Sequence, residues 1–128
     1  MMKKKGSEVR TKILLIGENL DIQPFTALQK EGYEASASES PQKAWPLVYA
    51  FHPRLIIVHL RHPSRSDIAT LQECKAMAPG VPIVVATSAP GHETVMRALE
   101  EGATSFLSLP VEGGKIKNVI DDLVASHG

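Results

Sequence analysis

The sequence predicts an α/β domain built on a doubly wound, five-stranded parallel sheet. Its strand-like segments are short, apolar runs without alternation, as expected for strands buried on both faces. They alternate along the chain with segments of helical periodicity, which favours helices packed on both sides of the sheet. The stretch RLIIVHLRHP at 54–63 shows the pattern most clearly. It predicts a central strand whose carboxyl end opens at His59 into a polar loop.

Length and composition predict one cytoplasmic domain. The chain has 128 residues, 43% of them hydrophobic and 22% charged, which is ordinary for a globular domain. Residues 1–11 are expected to form a flexible leader and residues 12–126 the domain. The formal net charge is zero, and no apolar stretch reaches membrane-spanning length, so we expect no direct nucleic-acid or membrane partner. Cys74 is the one cysteine, which excludes an internal disulfide and fits a reducing compartment.

The N-terminal half of the domain is predicted to form a strand at 12–16, a helix at 21–30, a strand at 33–37 and a helix at 42–51. The first strand is continuously apolar, whereas the second alternates weakly, as strands near a sheet edge do. Asp21 is a suitable N-cap for the first helix, and Gly32 is a suitable stop. Ser40 followed by Pro41 suits the start of the second helix. Pro46 should kink or shorten that helix, because its ring clashes with the preceding turn.

The C-terminal half is predicted to form strands at 55–59, 81–87 and 104–108 and helices at 67–77, 92–101 and 116–125. Pro82 stands at the entry of its strand, where a hydrogen-bond donor can be spared. Gly80 and Gly102 follow two of the helices as stops. Apolar residues recur at helical spacing from Ile116 to Val124, which indicates an amphipathic last helix.

The order of the predicted elements locates a pocket. Right-handed crossovers and a domain of this size favour the flavodoxin-like strand order 2-1-3-4-5. In such sheets ligands bind at the carboxyl ends of the strands where the order reverses, here between the first and third strands. The predicted rim of this pocket contains Gly17, Glu18, His59, Thr87 and Leu109.

Short motifs fall at fixed places around the predicted strands. They are Glu31-Gly32-Tyr33 before the second strand, His52-Pro53 before the third, Pro63 four residues after His59, and Glu101-Gly102-Ala103 before the fifth, with Phe106 and Pro110 following. With the rim positions, these motifs make residues 12–125 resemble the receiver domains of two-component response regulators, the CheY-like family.

The resemblance implies a degenerate site. In the family, an aspartate at the end of the third strand accepts a phosphoryl group, two acidic residues after the first strand hold Mg²⁺, and a lysine contacts the phosphoryl oxygens. The matching positions here are His59, the pair Gly17 and Glu18, and Leu109, while the family's hydroxyl is retained as Thr87. Imidazole cannot form an aspartyl phosphate, and one carboxylate is a poor Mg²⁺ site. We therefore expect a pseudo-receiver that is not an enzyme, with Mg²⁺ binding lost or weak.

Three interpretations of His59 are open. It is a neutral pocket histidine hydrogen-bonded to Thr87 or Glu18, or a metal ligand together with Glu18 and His62 or His92, or a phosphohistidine acceptor. The second would make the chain a metal- or small-ligand-binding flavodoxin-like protein, and the third a phosphorelay protein with an unorthodox acceptor. The histidine spacing matches no metal motif, and nothing supplies a cation to shield an incoming phosphate, so we prefer the first.

The resemblance also implies an interaction surface. Family members present their fourth helix, fifth strand and fifth helix to partner proteins or to a second copy. The corresponding face here is framed by Met96, Arg97, Glu100, Ser105 and Lys117. Phe106 matches an aromatic residue that changes rotamer in the family, although a residue of this kind on a strand is more often part of the core. We expect a protein partner in a signalling pathway, with a homodimer through this face as an alternative.

Overall fold

A computed structural model of the chain describes residues 11–17, 29–30, 32–59, 65–87, 92–108 and 113–127. Within these residues one parallel sheet contains β1 (Thr11–Ile16), β2 (Tyr33–Ser38), β3 (Leu55–His59), β4 (Ile83–Thr87) and β5 (Ser105–Ser108). The α-helices of the described ranges are α1 (Pro41–Phe51), α2 (Arg65–Met77), α3 (His92–Glu100) and α4 (Gly113–His127). The strand order is β2-β1-β3-β4-β5, which confirms the predicted doubly wound, flavodoxin-like sheet.

Alternate residues of the central strands enter two separate apolar layers. Ile56 and Val85 pack on one face of the sheet with residues of α1, α2 and α3. Ile57 and Ala86 pack on the other face with Ile120 of α4. Because both faces are covered, the central strands are apolar at consecutive positions rather than at every second one. The unbroken apolar runs in the sequence are a direct result of this arrangement.

Helix α1 begins at a capping serine and continues through a proline. The Lys43 backbone N–H donates to Ser40 Oγ at 3.3 Å, and Pro41 occupies the first turn, where its missing N–H has no intrahelical role. The helix runs on to Phe51, as its predicted range has it, so of the two effects predicted for Pro46, a kink or a shortening, the shortening is wrong. Pro46 has no N–H to donate to the Gln42 carbonyl, four residues earlier. Both residues are exposed, so water can donate to that carbonyl instead.

Two predicted segments fall mostly outside the described residues. Of the first predicted helix, the structure describes only a short 3₁₀ turn at Gln29 and Lys30. Of the predicted leader, Thr11 belongs to β1, and residues 1–10 lie outside the described ranges. Among the helices that are described, none combines the length and the hydropathy that crossing a membrane requires.

Candidate functional site

The carboxyl ends of β1, β3 and β4 meet at one edge of the sheet. Ile16 is in register with Val58, so that β1 and β3 end nearly level. Gly17 follows β1 directly, His59 is the last residue of β3, and Thr87 is the last residue of β4. The structure thus brings three of the predicted rim residues to neighbouring strand ends.

Gly17 has a backbone conformation that depends on its lack of a side chain. Its φ angle is +152°, a value that residues with a Cβ rarely adopt. A Cβ built on Gly17 would lie 2.6 Å from His59 Cβ and 3.3 Å from the His59 carbonyl oxygen. The Gly17 backbone N–H donates to the Ser38 carbonyl at 2.9 Å. The backbone at residue 17 is therefore confined between the ends of β2 and β3.

His59 lies where the buried core gives way to solvent. The preceding β3 residues, Leu55 to Val58, are fully buried, whereas His59 is half-buried. Thr87 is 1% exposed, and it is the buried polar residue among the side chains that the structure describes. The pocket edge therefore combines one partly accessible imidazole with one enclosed hydroxyl.

The described part of this pocket does not fit Mg²⁺. This ion needs oxygen ligands in near-octahedral geometry and is usually held by one or two carboxylates. Gly17 offers no side chain, and His59 offers nitrogen. In the part of the chain that the structure describes, no group of three His, Cys, Asp or Glu side chains could hold a metal ion. The other predicted ligands, Glu18 and His62, lie outside the described residues, as do the side chain of His92 and the pocket residue Leu109.

Comparison with known proteins decides the family. The sequence model of the response regulator receiver domain matches residues 20–121. The chain belongs to this family. The receiver is 28% identical over 121 residues to the transcriptional regulatory protein ZraR of Salmonella typhimurium, a match that covers 91% of the chain and 27% of ZraR. It thus spans about a quarter of the length of this curated relative.

Solved structures show the same fold. The receiver domain of NtrX from Brucella abortus is 24% identical with a TM-score of 0.74, and the match covers 88% of this chain and 98% of that domain. A CheY-like receiver domain protein from Methanospirillum hungatei JF-1 is 17% identical with a TM-score of 0.77, covering 93% of this chain and 97% of that one. These likenesses support the receiver architecture.

A second feature of the receiver is an exposed apolar group on α3 and β5. Met96 and Leu99 of α3 are 44% and 41% exposed, and Phe106 of β5 is 42% exposed. Phe106 is in register with Val85, whose side of the sheet is covered by α3 through Ala98. We define the α3–β5 surface as these three residues with the charged residues of α3 near them: Met96, Arg97, Leu99, Glu100 and Phe106.

The α3–β5 surface contains two apolar residues that the predicted face did not include, Phe106 and Leu99. Phe106 was predicted as a switch-like aromatic, with a core residue as the other interpretation; the core interpretation is wrong, because Phe106 is two-fifths exposed. Leu99 was missed, although its spacing of three from Met96 places both on neighbouring parts of one helical face.

Arg97 and Glu100 are exposed as predicted. Ser105 is half-buried and in register with Val84, which packs on the α4 side of the sheet. The prediction that Ser105 frames the same face as the residues of α3 is therefore wrong.

The structure places Lys117 away from this surface. Its Nζ lies 2.6 Å from Asp121 Oδ2, four residues further along α4. The Tyr33 hydroxyl donates a hydrogen bond to the other oxygen, Oδ1, of the same carboxylate. Because Tyr33 begins β2, at the opposite edge of the sheet from β5, Lys117 faces the β2 side of α4. This position corrects the expectation that Lys117 frames the α3–β5 surface.

The hydrogen bonds around Asp121 also have a direct effect on its acidity. Lys117 and then Tyr33 stabilise the charged carboxylate, which lowers the Asp121 pKa below its ordinary value. Burial of the Tyr33 ring and the bonded carboxylate raise the pKa of the Tyr33 hydroxyl. The spacing of Lys117 and Asp121 in the sequence predicts their pair, but no local signal predicts Tyr33 as the third member.

Proposed function

We propose that this receiver domain acts through protein contacts at the α3–β5 surface, without phosphorylation at the usual strand-end position. The observation that carries the proposal is His59 at the end of β3, where the family's acceptor carboxylate is expected. A mixed anhydride with phosphate requires a carboxylate, which imidazole cannot replace. The proposed function includes no catalytic turnover by the chain and no Mg²⁺ cofactor.

The neighbouring positions support the same conclusion. Gly17 supplies no ligand for a cation, and its close approach to His59 leaves no room for a side chain that would. A ligand shifts a conformational equilibrium only by the difference in its affinity for the two states. A pocket without a phosphoryl group has no such ligand, so the conformation of the α3–β5 surface is set by the sequence itself.

The chemistry of the α3–β5 surface suits a protein partner. Three large apolar side chains lie exposed beside a cation and an anion, Arg97 and Glu100. Apolar groups bordered by charges are typical of protein–protein contacts. The partner we propose is a protein of a signalling pathway. The alternative is a second copy of this domain, bound through the same surface. The name of ZraR, a transcriptional regulatory protein, suggests a pathway that controls gene expression.

Charge reversal at the α3–β5 surface tests this proposal. The variant combines Arg97→Glu with Glu100→Arg, and a second variant combines Leu99→Ser with Phe106→Ser. Self-association is measured by sedimentation equilibrium, and partner capture is measured with the domain as immobilised bait, each with and without beryllofluoride. We expect both variants to weaken binding and beryllofluoride to change nothing in the native protein.

Matched controls lie on α1 and at Glu39, just before it. Trp45 is 40% exposed, close to the exposure of Phe106, and Trp45→Ser removes an exposed aromatic side chain from a different surface. Lys43 and Glu39 form an exposed pair at 3.2 Å whose reversal mirrors the change at Arg97 and Glu100. Equal loss of binding in the α1 controls, or a response of the native protein to beryllofluoride, would contradict the proposal.

A further inference from the structure

The outer edge of β2 carries backbone groups that β1 does not use. The Gly17 N–H donates to the Ser38 carbonyl at 2.9 Å, so the backbone groups of Ser38 face β1. All six residues of β2 are in continuous register with β1, and successive residues of a strand direct their N–H and C=O groups to opposite sides. The backbone groups of Ala35 and Ala37 therefore face away from β1, on the side where no strand of the described ranges pairs with β2.

The side chains at this edge are small. The strand carries only alanine and serine from Ala35 to Ser38, and Glu34 is its one charged residue. Edge strands are commonly protected from pairing by lysine, by proline or by a bulge, and β2 contains none of these. Ala37 is exposed, and its neighbours Ser36 and Ser38 are half-buried, so another backbone can approach this part of the strand.

We propose that β2 pairs in antiparallel orientation with β2 of a second copy of this domain, with the twofold axis at Ser36. In this register Ala35 of each copy lies opposite Ala37 of the other and exchanges both backbone hydrogen bonds with it. Ser36 faces its own counterpart, and Glu34 faces Ser38 of the second copy. Within β2 no like charges meet, and the edge is self-complementary, as a twofold interface between identical copies requires.

The pairing goes beyond the proposed function and does not depend on it. β2 and β5 are opposite edges of the sheet, so a dimer joined through β2 leaves the α3–β5 surface of each copy accessible. Two such surfaces on one particle would bind a partner with two matching sites more tightly than either surface alone, without any new contact.

Sedimentation equilibrium of the Leu99→Ser, Phe106→Ser variant tests the pairing without a contribution from the α3–β5 surface. We expect this variant to be a dimer. Ala37→Pro in the same background removes an N–H that β1 does not use, so the fold should remain. The dissociation constant should rise by about thirtyfold, because each copy loses a hydrogen bond across the interface. A monomer up to millimolar concentration before Ala37→Pro is introduced, or an unchanged dimer afterwards, would overturn the proposal.

Disulfide trapping tests the register and remains decisive if the proline variant does not fold. Cys74→Ala first removes the native thiol. In that background Ser36→Cys places two thiols across the axis, where Cα atoms about 4.5 Å apart suit a disulfide. Glu34→Cys is the matched control, because residue 34 lies on the same face and is more exposed, yet its two copies are about 13 Å apart along the strands. Ser36→Cys should cross-link at least about tenfold faster than Glu34→Cys under mild oxidation, and equal rates would overturn the proposal.

Discussion

The Tyr33 hydroxyl donates a hydrogen bond to Asp121 and thereby joins the start of β2 to the middle of α4. Lys117 Nζ donates to the second carboxylate oxygen at 2.6 Å, so both oxygens of Asp121 are engaged. The ring of Tyr33 is 7% exposed and belongs to the apolar layer beneath α4. This polar connection fixes how α4 lies across the sheet.

Tyr33→Phe should lower the free energy of unfolding by about 1 kcal/mol, the usual contribution of one hydrogen bond. The packing of the ring is retained, and only the bond to Asp121 is lost. Urea unfolding measures the change. Lys43→Met is the control, because its pair with Glu39 is highly exposed and such pairs contribute little. A loss as large for Lys43→Met as for Tyr33→Phe would contradict a specific contribution of the hydrogen bond from Tyr33 to Asp121.

The same group predicts how stability depends on pH. Lys117 and then Tyr33 lower the pKa of Asp121 in the folded protein. The ionised carboxylate therefore stabilises the fold above pH 3.8, its ordinary pKa, and this stabilisation is lost as the pH falls below that value. The pKa of Tyr33 is raised, mainly by burial, so its contribution is present below pH 10 and is lost as the pH rises beyond 10. The double variant Tyr33→Phe, Lys117→Met should flatten both limbs of the stability profile. Unchanged limbs would show that other groups determine the profile.

The native chain should gain no phosphoryl mass when incubated with Mg²⁺ and acetyl phosphate or phosphoramidate. His59 cannot form an aspartyl phosphate, and Gly17 supplies no ligand for the cation. Intact-protein mass spectrometry detects an adduct directly. A stoichiometric adduct would contradict the pseudo-receiver. An acid-labile, alkali-stable adduct that disappears in His59→Ala would instead identify a phosphohistidine.

His59→Asp alone should also remain unphosphorylated. The change restores a nucleophile without the carboxylate at residue 17 or the ammonium at Leu109, and catalytic groups that act together recover little when one is restored. Adding Gly17→Asp should not help while the backbone holds its present path, because a Cβ at each position would approach to 2.6 Å. Mass spectrometry under the same conditions checks both variants, and ready uptake by His59→Asp would contradict this account.

Cys74 should be unreactive in the folded protein. It is fully buried among apolar residues of α2 and the sheet, and burial, with the nearby Glu73 charge, raises the thiol pKa to about 12. Reaction with a chromogenic disulfide at pH 8 should therefore be slower by orders of magnitude than in urea, and limited by local opening. Cys74→Ala serves as the blank. Fast, complete reaction without denaturant would place the thiol at the surface.

The strands and their order could be predicted because sheet burial leaves a local mark. Continuous apolar runs such as 55–58 are typical of strands whose two faces are both covered, and right-handed crossovers limit the possible orders. The tolerance of Pro46 within α1 could not be predicted in this way. It depends on which side of the helix faces solvent, which is decided by the packing of Ala44 and Val48.

The pocket residues could be identified from their places at strand ends, but their geometry could not. Nothing in the sequence indicates that a side chain at residue 17 would meet His59, because the two residues are far apart in the chain. The bond between Tyr33 and Asp121 is a similar case. Phe106 is exposed while Leu107, the next residue of the same edge strand, is buried in the layer beneath α4. The predicted strand order alone therefore could not give the exposure of Phe106, which depends on how each face of β5 is covered.

β1 is the first strand of the described residues, yet it lies in the interior of the sheet between β2 and β3. Leu15 is in register with Ile57, so one side of β1 stays without its partner until β3 has been synthesised. During translation a nascent chain of this length presents an apolar strand with an open edge, which is the kind of segment that aggregates or recruits chaperones. Parallel pairing between distant segments also slows folding. Synthesis and folding of this receiver are therefore coupled through β3, and slow codons between β1 and β3 would lengthen the vulnerable interval.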